Sequence, residues 1–137
     1  MSDSYFVISL RIKSYKTDPT EICDSLKLRP KIMNKINDLR VDNKGTLLGG
    51  VYEYSSFISR VCEKKDFKQF EEAVKKLLNE FSEHKELFQN IRQEGGSSEF
   101  FIGWFTGFNS GFILDYSLLK QMGELGIDLN FDIYGED

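Results

Sequence analysis

The stretch 111–135, GFILDYSLLKQMGELGIDLNFDIYG, decides the fold class of this chain. Apolar residues spaced three and four apart over 116–125 predict a short amphipathic helix, which Gly126 is expected to end. From Ile127 onward apolar and polar residues alternate, and this period of two predicts a β-strand with one buried face. A helix that leads directly into a half-buried strand is typical of an α+β domain.

The phase of this last strand predicts which side chains face the core. Leu129, Phe131 and Ile133 share one face and are expected to be buried. Asp128 and Asp132 share the other face and are expected to be exposed. A shift of one residue would exchange the two faces, so the prediction is easily checked against a structure.

The preceding sequence predicts a central strand and a long helix. Residues 99–106 are apolar on both faces, and residues 111–115 are expected to return beside them as the second strand of a hairpin. An apolar stripe over residues 66 to about 92 predicts the main helix, capped by Asp66 and kinked near Ser82. The stripe fits a coiled-coil seam or a helix laid on a sheet. The second is favoured because further apolar residues widen the stripe.

The N-terminal half predicts two more strands and a capped helix. Residues 5–12 alternate as a strand, and Asp18 with Pro19 suits the cap and first position of a helix. Residues 29–50 are irregular and locally basic, with a few apolar residues spaced like one face of a short helix. Residues 51–60 predict the second strand.

These elements follow the order β-α-β-α-β-β-α-β within a single domain, residues 1–137. Helices packed on one face of a largely antiparallel sheet are the economical way to bury the apolar faces of all of them. The sequence therefore predicts an α+β fold, a ferredoxin-like sandwich with additions.

Composition and charge exclude several classes of protein. Apolar residues make up 40% and charged residues 29%, a normal balance for a soluble domain. The net charge of −4 argues against a general nucleic-acid-binding protein, which needs cations against phosphates. Asp3 stands where a secretion signal would be basic, and no stretch approaches the roughly 20 apolar residues of a membrane span. We expect a cytoplasmic protein that binds neither nucleic acid nor membrane.

No set of residues for catalysis or metal binding is apparent. His84 lies on the apolar stripe of the main helix, and Cys23 and Cys62 are far apart and expected to be free thiols. Asp128 and Asp132 would be roughly 13 Å apart along a strand, too far to share an ion. Neither a phosphate-binding Gly-Lys-Ser/Thr loop nor a GxSxG elbow occurs. We therefore expect no enzymatic activity, no metal and no cofactor.

The aromatic strand FFIGWF at 100–105 invites comparison with the sheets of RNA-binding domains, whose aromatic rings stack on bases. Such strands are flanked by lysine and arginine. Here the flanking residues are Glu99 and Thr106. Packing in the protein core is therefore the favoured interpretation.

The whole chain resembles a bacterial family called domain of unknown function DUF4279. The resemblance rests on YFVISL at 5–10, DPTEI at 18–22 with LKLRP at 26–30, and ILDYSLL at 113–119 with LGIDLNFDIY at 125–134. Family members have a glycine-bearing loop after the proline and a tryptophan in the second strand. This chain has KIND at 35–38 and YSSF at 54–57 instead. These motifs are structural, so the resemblance implies a fold and supplies no catalytic residues.

An acidic domain rich in tyrosine and phenylalanine, without a catalytic set, is typical of immunity proteins that neutralise bacterial toxins by binding them. Two surfaces are candidates for the contact, the irregular segment 31–50 and the acidic face of the last strand. Because a cationic toxin needs an acidic surface and the irregular segment is locally basic, we place the contact on Asp128, Asp132 and Tyr134, with Tyr52 and Tyr54 as neighbours. The alternative function is a small-molecule-sensing or regulatory domain with a pocket between helix and sheet.

Overall fold

A computed structural model of the chain describes residues 4–135. Its main sheet has five strands in the order β2-β5-β1-β6-β7. The strands are β1 (Tyr5–Ser14), β2 (Ile32–Asn34), β5 (Ser55–Asp66), β6 (Ser97–Thr106) and β7 (Ile127–Gly135). All neighbouring strands are antiparallel except β6 and β7, which run parallel.

Four helices and a separate hairpin complete the described fold. The helices are α1 (Pro19–Leu26), α2 (Phe70–Phe81), α3 (Lys85–Gln93) and α4 (Tyr116–Leu125). The strands β3 (Leu39–Val41) and β4 (Leu47–Val51) pair with each other in a two-stranded sheet of their own. We call residues 35–54, which contain this sheet, the hairpin arm.

One hydrophobic core lies between the helices and one face of the main sheet. Alternate residues of the central strand, Phe6, Ile8, Leu10 and Ile12, are buried together with residues from all four helices. The α+β class and the largely antiparallel sheet with packed helices are thereby confirmed. The ferredoxin-like order is not confirmed, since the observed strand order is the one given above.

The predicted strand at 111–115 is wrong. This segment is irregular, and the partner that extends the sheet beside β6 is β7 instead. Phe112 packs on Trp104, with ring centroids 5.1 Å apart, and Trp104 Nε1 donates to Ser110 Oγ at 3.2 Å. Aromatic packing holds the loop over the core, and α4 supplies the crossover that a parallel strand pair needs.

The short helix suggested within 29–50 is also wrong. Ile32 and Met33 belong to β2, whose backbone pairs with β5, and the rest of the segment forms the hairpin arm. The apolar residues of this segment find no core to pack against: Ile32 is 46% exposed and Leu39 is 62% exposed. Without a buried face, helical spacing alone does not stabilise a helix in water.

The main helix is interrupted at Ser82, the position where the sequence allows a kink. A 3₁₀ turn, Ser82–His84, separates α2 from α3. Phe70, Val74, Phe81 and Phe88 of the apolar stripe are buried in the core. The stripe is therefore a helix face packed within the domain, as favoured over a coiled coil.

The phase of the last strand is correct, but its burial is incomplete. Leu129 and Phe131 pack partly buried against the core and Asp128 is exposed, as expected. Asp132 is only half-exposed, and the expectation that Ile133 is buried is wrong, because its side chain is 64% exposed. The end of β7 lies at the sheet edge, where the loop before α4 leaves a cavity beside Ile133.

Candidate functional site

The sheet face opposite the core, which we call the open face, carries a row of stacked aromatic rings. The ladder registers bring Tyr5, Phe105 and Tyr134 side by side across three strands. Their ring centroids are 4.7 Å apart at each step, with interplanar angles of 13° and 9°. This spacing matches the distance between neighbouring strands, so the rings stand face to face on the sheet.

A lysine closes one end of this aromatic row, and the sheet edge leaves the other end free. Lys64 Nζ lies 4.2 Å from the ring centroid of Tyr5. Tyr134 lies on β7, the last strand of the sheet. Because the inner ring faces cover one another, the row offers a partner little more than the outer face of Tyr134.

Two of the predicted contact residues interact directly. The Tyr134 hydroxyl donates a hydrogen bond to the Asp132 carboxylate. This bond raises the pKa of Tyr134, since loss of the proton would place two negative groups together. The partner of Asp132 across the ladder is Gly103, whose missing side chain leaves room for Phe105 and Val7.

Asp128 lies at the other end of β7 and has different neighbours. It pairs in the ladder with Glu99, whose carboxylate lies 3.6 Å from Arg11 Nε. The Arg11 guanidinium also lies over the Phe101 ring, 4.6 Å from its centroid. Asp128 lies four residues from Asp132 on the same face of the sheet.

Tyr52 and Tyr54 lie at the base of the hairpin arm, away from β7. Backbone hydrogen bonds join Tyr52 to Asn37 and Asp38 across the arm. The Tyr54 ring contacts the Tyr15 ring edge to face, with centroids 6.4 Å apart. Tyr54 lies just before β5, and β1 and β6 separate β5 from β7 in the sheet. The structure therefore brings Asp132 and Tyr134 together and brings Tyr52 and Tyr54 together, but it does not unite the two pairs.

The exposed end of β7 adjoins an apolar cavity of about 510 Å³. Ile133 and Phe131 line one side, and Phe108 and Phe112 of the loop before α4 line the other. Ile133 points to this side of the sheet while Tyr134 points to the open face. The end of β7 therefore exposes an apolar side chain on one face and a tyrosine on the other.

Reactive groups in the described part of the chain are dispersed. Across residues 4–135 no three His, Cys, Asp or Glu side chains come together as a metal site. His84 is half-buried in the 3₁₀ turn, and both cysteines are free thiols. Burial raises the pKa of the Cys62 thiol, which lowers its reactivity as a nucleophile. None of the described helices is long and apolar enough to cross a membrane.

Comparison with known proteins identifies a family. The chain matches DUF4279, a domain of unknown function, over residues 3–136. The chain belongs to the DUF4279 family. No matching protein was found among curated proteins, and no solved structure matches the chain.

The sequence prediction missed the cations of the open face. Along the chain, the aromatic strand is flanked by Glu99 and Thr106, neither of which is a cation. Across the sheet, Arg11 covers Phe101 and Lys64 covers Tyr5. Phe101 and Phe105 are half-buried on this face, whereas Phe100 and Trp104 are in the core, as predicted.

Proposed function

We propose that this DUF4279 protein is a non-catalytic binding protein of the cytoplasm, an immunity protein that neutralises a bacterial toxin by direct contact. The observation that carries the proposal is the edge of the sheet at β7. Within the described residues this nine-residue strand pairs on one side only. Its outer side therefore presents backbone donors and acceptors to a partner, which are a ready means of attaching another chain.

The side chains of β7 suit a cationic partner. Asp128, Asp132 and Tyr134 share the open face, and no Lys or Arg among residues 4–135 forms an ion pair with either aspartate. Two uncompensated carboxylates favour association with a positively charged surface and disfavour pairing of β7 with another copy of itself. Tyr134 adds a large ring that loses little conformational entropy when bound.

The proposal is tested with a toxin encoded beside the gene of this protein. Expression of this chain should restore growth of cells that produce the toxin, and calorimetry should show direct binding. Tyr134→Ala and Asp132→Ala should each weaken binding by about 2 kcal/mol, roughly 30-fold, as expected for central anchors. Tyr134→Phe keeps the ring stack and removes the hydroxyl, so it separates the contribution of the ring from that of the bond to Asp132.

Matched controls are His84→Ala and Lys120→Ala, which lie away from the β7 face and should bind normally. Normal binding by both Tyr134→Ala and Asp132→Ala, together with loss in Lys35→Ala or Arg40→Ala, would move the contact to the hairpin arm. If His84→Ala bound the toxin normally but no longer restored growth of the toxin-producing cells, a catalytic role would be indicated and the proposal contradicted.

A sensing or regulatory domain is the second candidate. The observation in its favour is a groove of about 790 Å³ that runs along α2 beside the end of β5. Most of its lining is charged, including Lys68, Glu72, Lys76 and Glu80. Charged groups and the aliphatic parts of these long side chains both line the groove, so it offers polar and apolar contacts to a small ligand.

A further inference from the structure

Two adjoining cavities lie where the hairpin arm meets the open face of the sheet. The larger has a volume of about 460 Å³ and the smaller about 180 Å³. Tyr54 and Ser56 line both, so the two cavities adjoin, and we call them together the arm groove. The larger cavity alone lies within the size range of small-molecule sites.

Three cations line the arm groove, and one of them is already neutralised. Arg11 is held by Glu99 at 3.6 Å and by the Phe101 ring. Lys13 and Arg40 have no carboxylate at ion-pair distance within residues 4–135. With Glu53 and Glu99 as its acidic members, the groove is locally positive in a protein whose net charge is −4.

Aromatic rings hold Lys13 in place. Its ammonium group lies 4.3 Å from the ring centroid of Tyr54 and 5.6 Å from that of Tyr15. Such contacts attract a cation without neutralising it, because a ring face carries no net charge. A positioned and still charged ammonium loses less entropy on binding an anion than a free surface lysine does.

The remaining polar wall supplies neutral hydrogen-bonding groups. Ser56 and Ser97 contribute hydroxyls, Asn34 an amide, and Tyr52 a phenol. An arginine guanidinium binds carboxylate or phosphate through two parallel hydrogen bonds. Hydroxyl and amide groups suit the hydroxyls of a polar ligand.

We propose that the arm groove binds a small organic anion that carries hydroxyl groups, with its carboxylate or phosphate held by Lys13 and Arg40. This site is separate from the β7 edge, so it can fail or succeed independently of toxin binding.

The experiment uses the purified full chain and three probes at constant ionic strength. Citrate presents carboxylates, glucose 6-phosphate presents a phosphate, and glucose is the uncharged control. Calorimetry should detect binding of at least one anion and none of glucose. The two anions distinguish a carboxylate ligand from a phosphate ligand. Amide chemical shifts of Ser56 and Ser97 should move on titration.

Charge-removing variants localise the site. Lys13→Gln and Arg40→Gln should each weaken anion binding at least about tenfold, since each removes charged hydrogen bonds. Lys44→Gln removes the same charge from the same arm but lies outside the groove, and its affinity should stay within about twofold of wild type. Tyr54→Leu should weaken binding by freeing Lys13.

Absence of binding by both anions overturns the proposal. A loss of affinity in Lys44→Gln equal to that in Lys13→Gln and Arg40→Gln also overturns it, because it would indicate that the arm attracts anions in general. Binding that shifts amides on α2 instead of Ser56 and Ser97 would place the ligand in the groove beside that helix and would also overturn it.

Discussion

At the scale of single residues, the Glu94 carboxylate holds the turn between β1 and α1. One of its oxygens accepts from the backbone N–H groups of Tyr15, Lys16 and Thr17 at 2.8, 3.0 and 3.1 Å. Its other oxygen accepts from the Thr17 hydroxyl at 2.9 Å. Burial alone would raise the pKa of Glu94, but these donors outweigh it and the pKa lies below its ordinary value of 4.5.

Replacement of Glu94 by glutamine should destabilise the fold by about 1–2 kcal/mol, since charged hydrogen bonds to backbone are stronger than neutral ones. The lowered pKa also sets a pH dependence. The carboxylate contributes its stability in full above its unfolded pKa and loses it as pH falls through the folded pKa. The free energy of unfolding of the wild type, measured with urea, should therefore fall below about pH 5. In Glu94→Gln it should depend less on pH in this range.

Glu83→Gln, an exposed change in the 3₁₀ turn, serves as the control and should leave both stability and the acid profile unchanged. Equal acid profiles of wild type and Glu94→Gln would show that the carboxylate does not hold the turn. Asp18, Asp42 and Asp115 also have lowered pKa values, so part of the acid sensitivity should remain in Glu94→Gln.

At the scale of elements, sequence patterns predicted those parts that local physics controls. Asp18 caps α1 by accepting a hydrogen bond from the Thr20 N–H, and Gly126 ends α4 in the left-handed conformation, both as predicted. Alternation likewise predicted the faces of β1 and β7. Patterns failed where tertiary contacts decide. The loop that contains Phe112 has strand-like composition, yet its backbone joins no strand. The Phe112 ring packs on Trp104 and Phe131 instead.

The junction of α3 and β6 depends on a close backbone approach. A Cβ added at Gly96 would lie 2.2 Å from the carbonyl oxygen of Lys13 and 2.9 Å from that of Ile91. Neither backbone atom can move without disturbing β1 or the end of α3. Gly96→Ala should therefore cost more than about 2 kcal/mol of unfolding free energy, measured by urea titration.

Gly123 provides the matched comparison, because it lies in α4 with nothing within 4 Å of an added Cβ. Gly123→Ala should stabilise the protein by up to about 1 kcal/mol through the higher helix propensity of alanine. Similar stabilities of the two variants would mean that the α3–β6 junction yields to the added methyl group.

At the scale of the whole molecule, the proposed arm groove could not be read from the sequence because its members lie on different strands. Asp132 and Tyr134 are two residues apart on one strand, so alternation alone places them on the same face, where they share a hydrogen bond. Lys13 and Tyr54 are far apart in sequence, and only the pairing of β1 with β5 brings them together. Alternation predicts which face a side chain occupies, but the strand order decides its neighbours across the sheet.

The distribution of packing across the molecule predicts unequal stability. The central strand β1 is paired on both sides and buries four apolar side chains. The hairpin arm pairs Leu39 with Val51 and Val41 with Leu47 across its two strands, and every residue of β3 and β4 is exposed. An isolated two-stranded sheet is only marginally stable in water.

Amide hydrogen exchange should therefore be fast in residues 39–51 and slow in β1, which should open only with global unfolding. The measurement is exchange followed by mass spectrometry or NMR at low protein concentration, with α2 as a second slow reference. Protection of the arm equal to that of β1 would contradict this prediction. If such protection appeared only at high concentration, the aliphatic residues of the arm would be covered by another copy, because self-association depends on concentration and intramolecular packing does not.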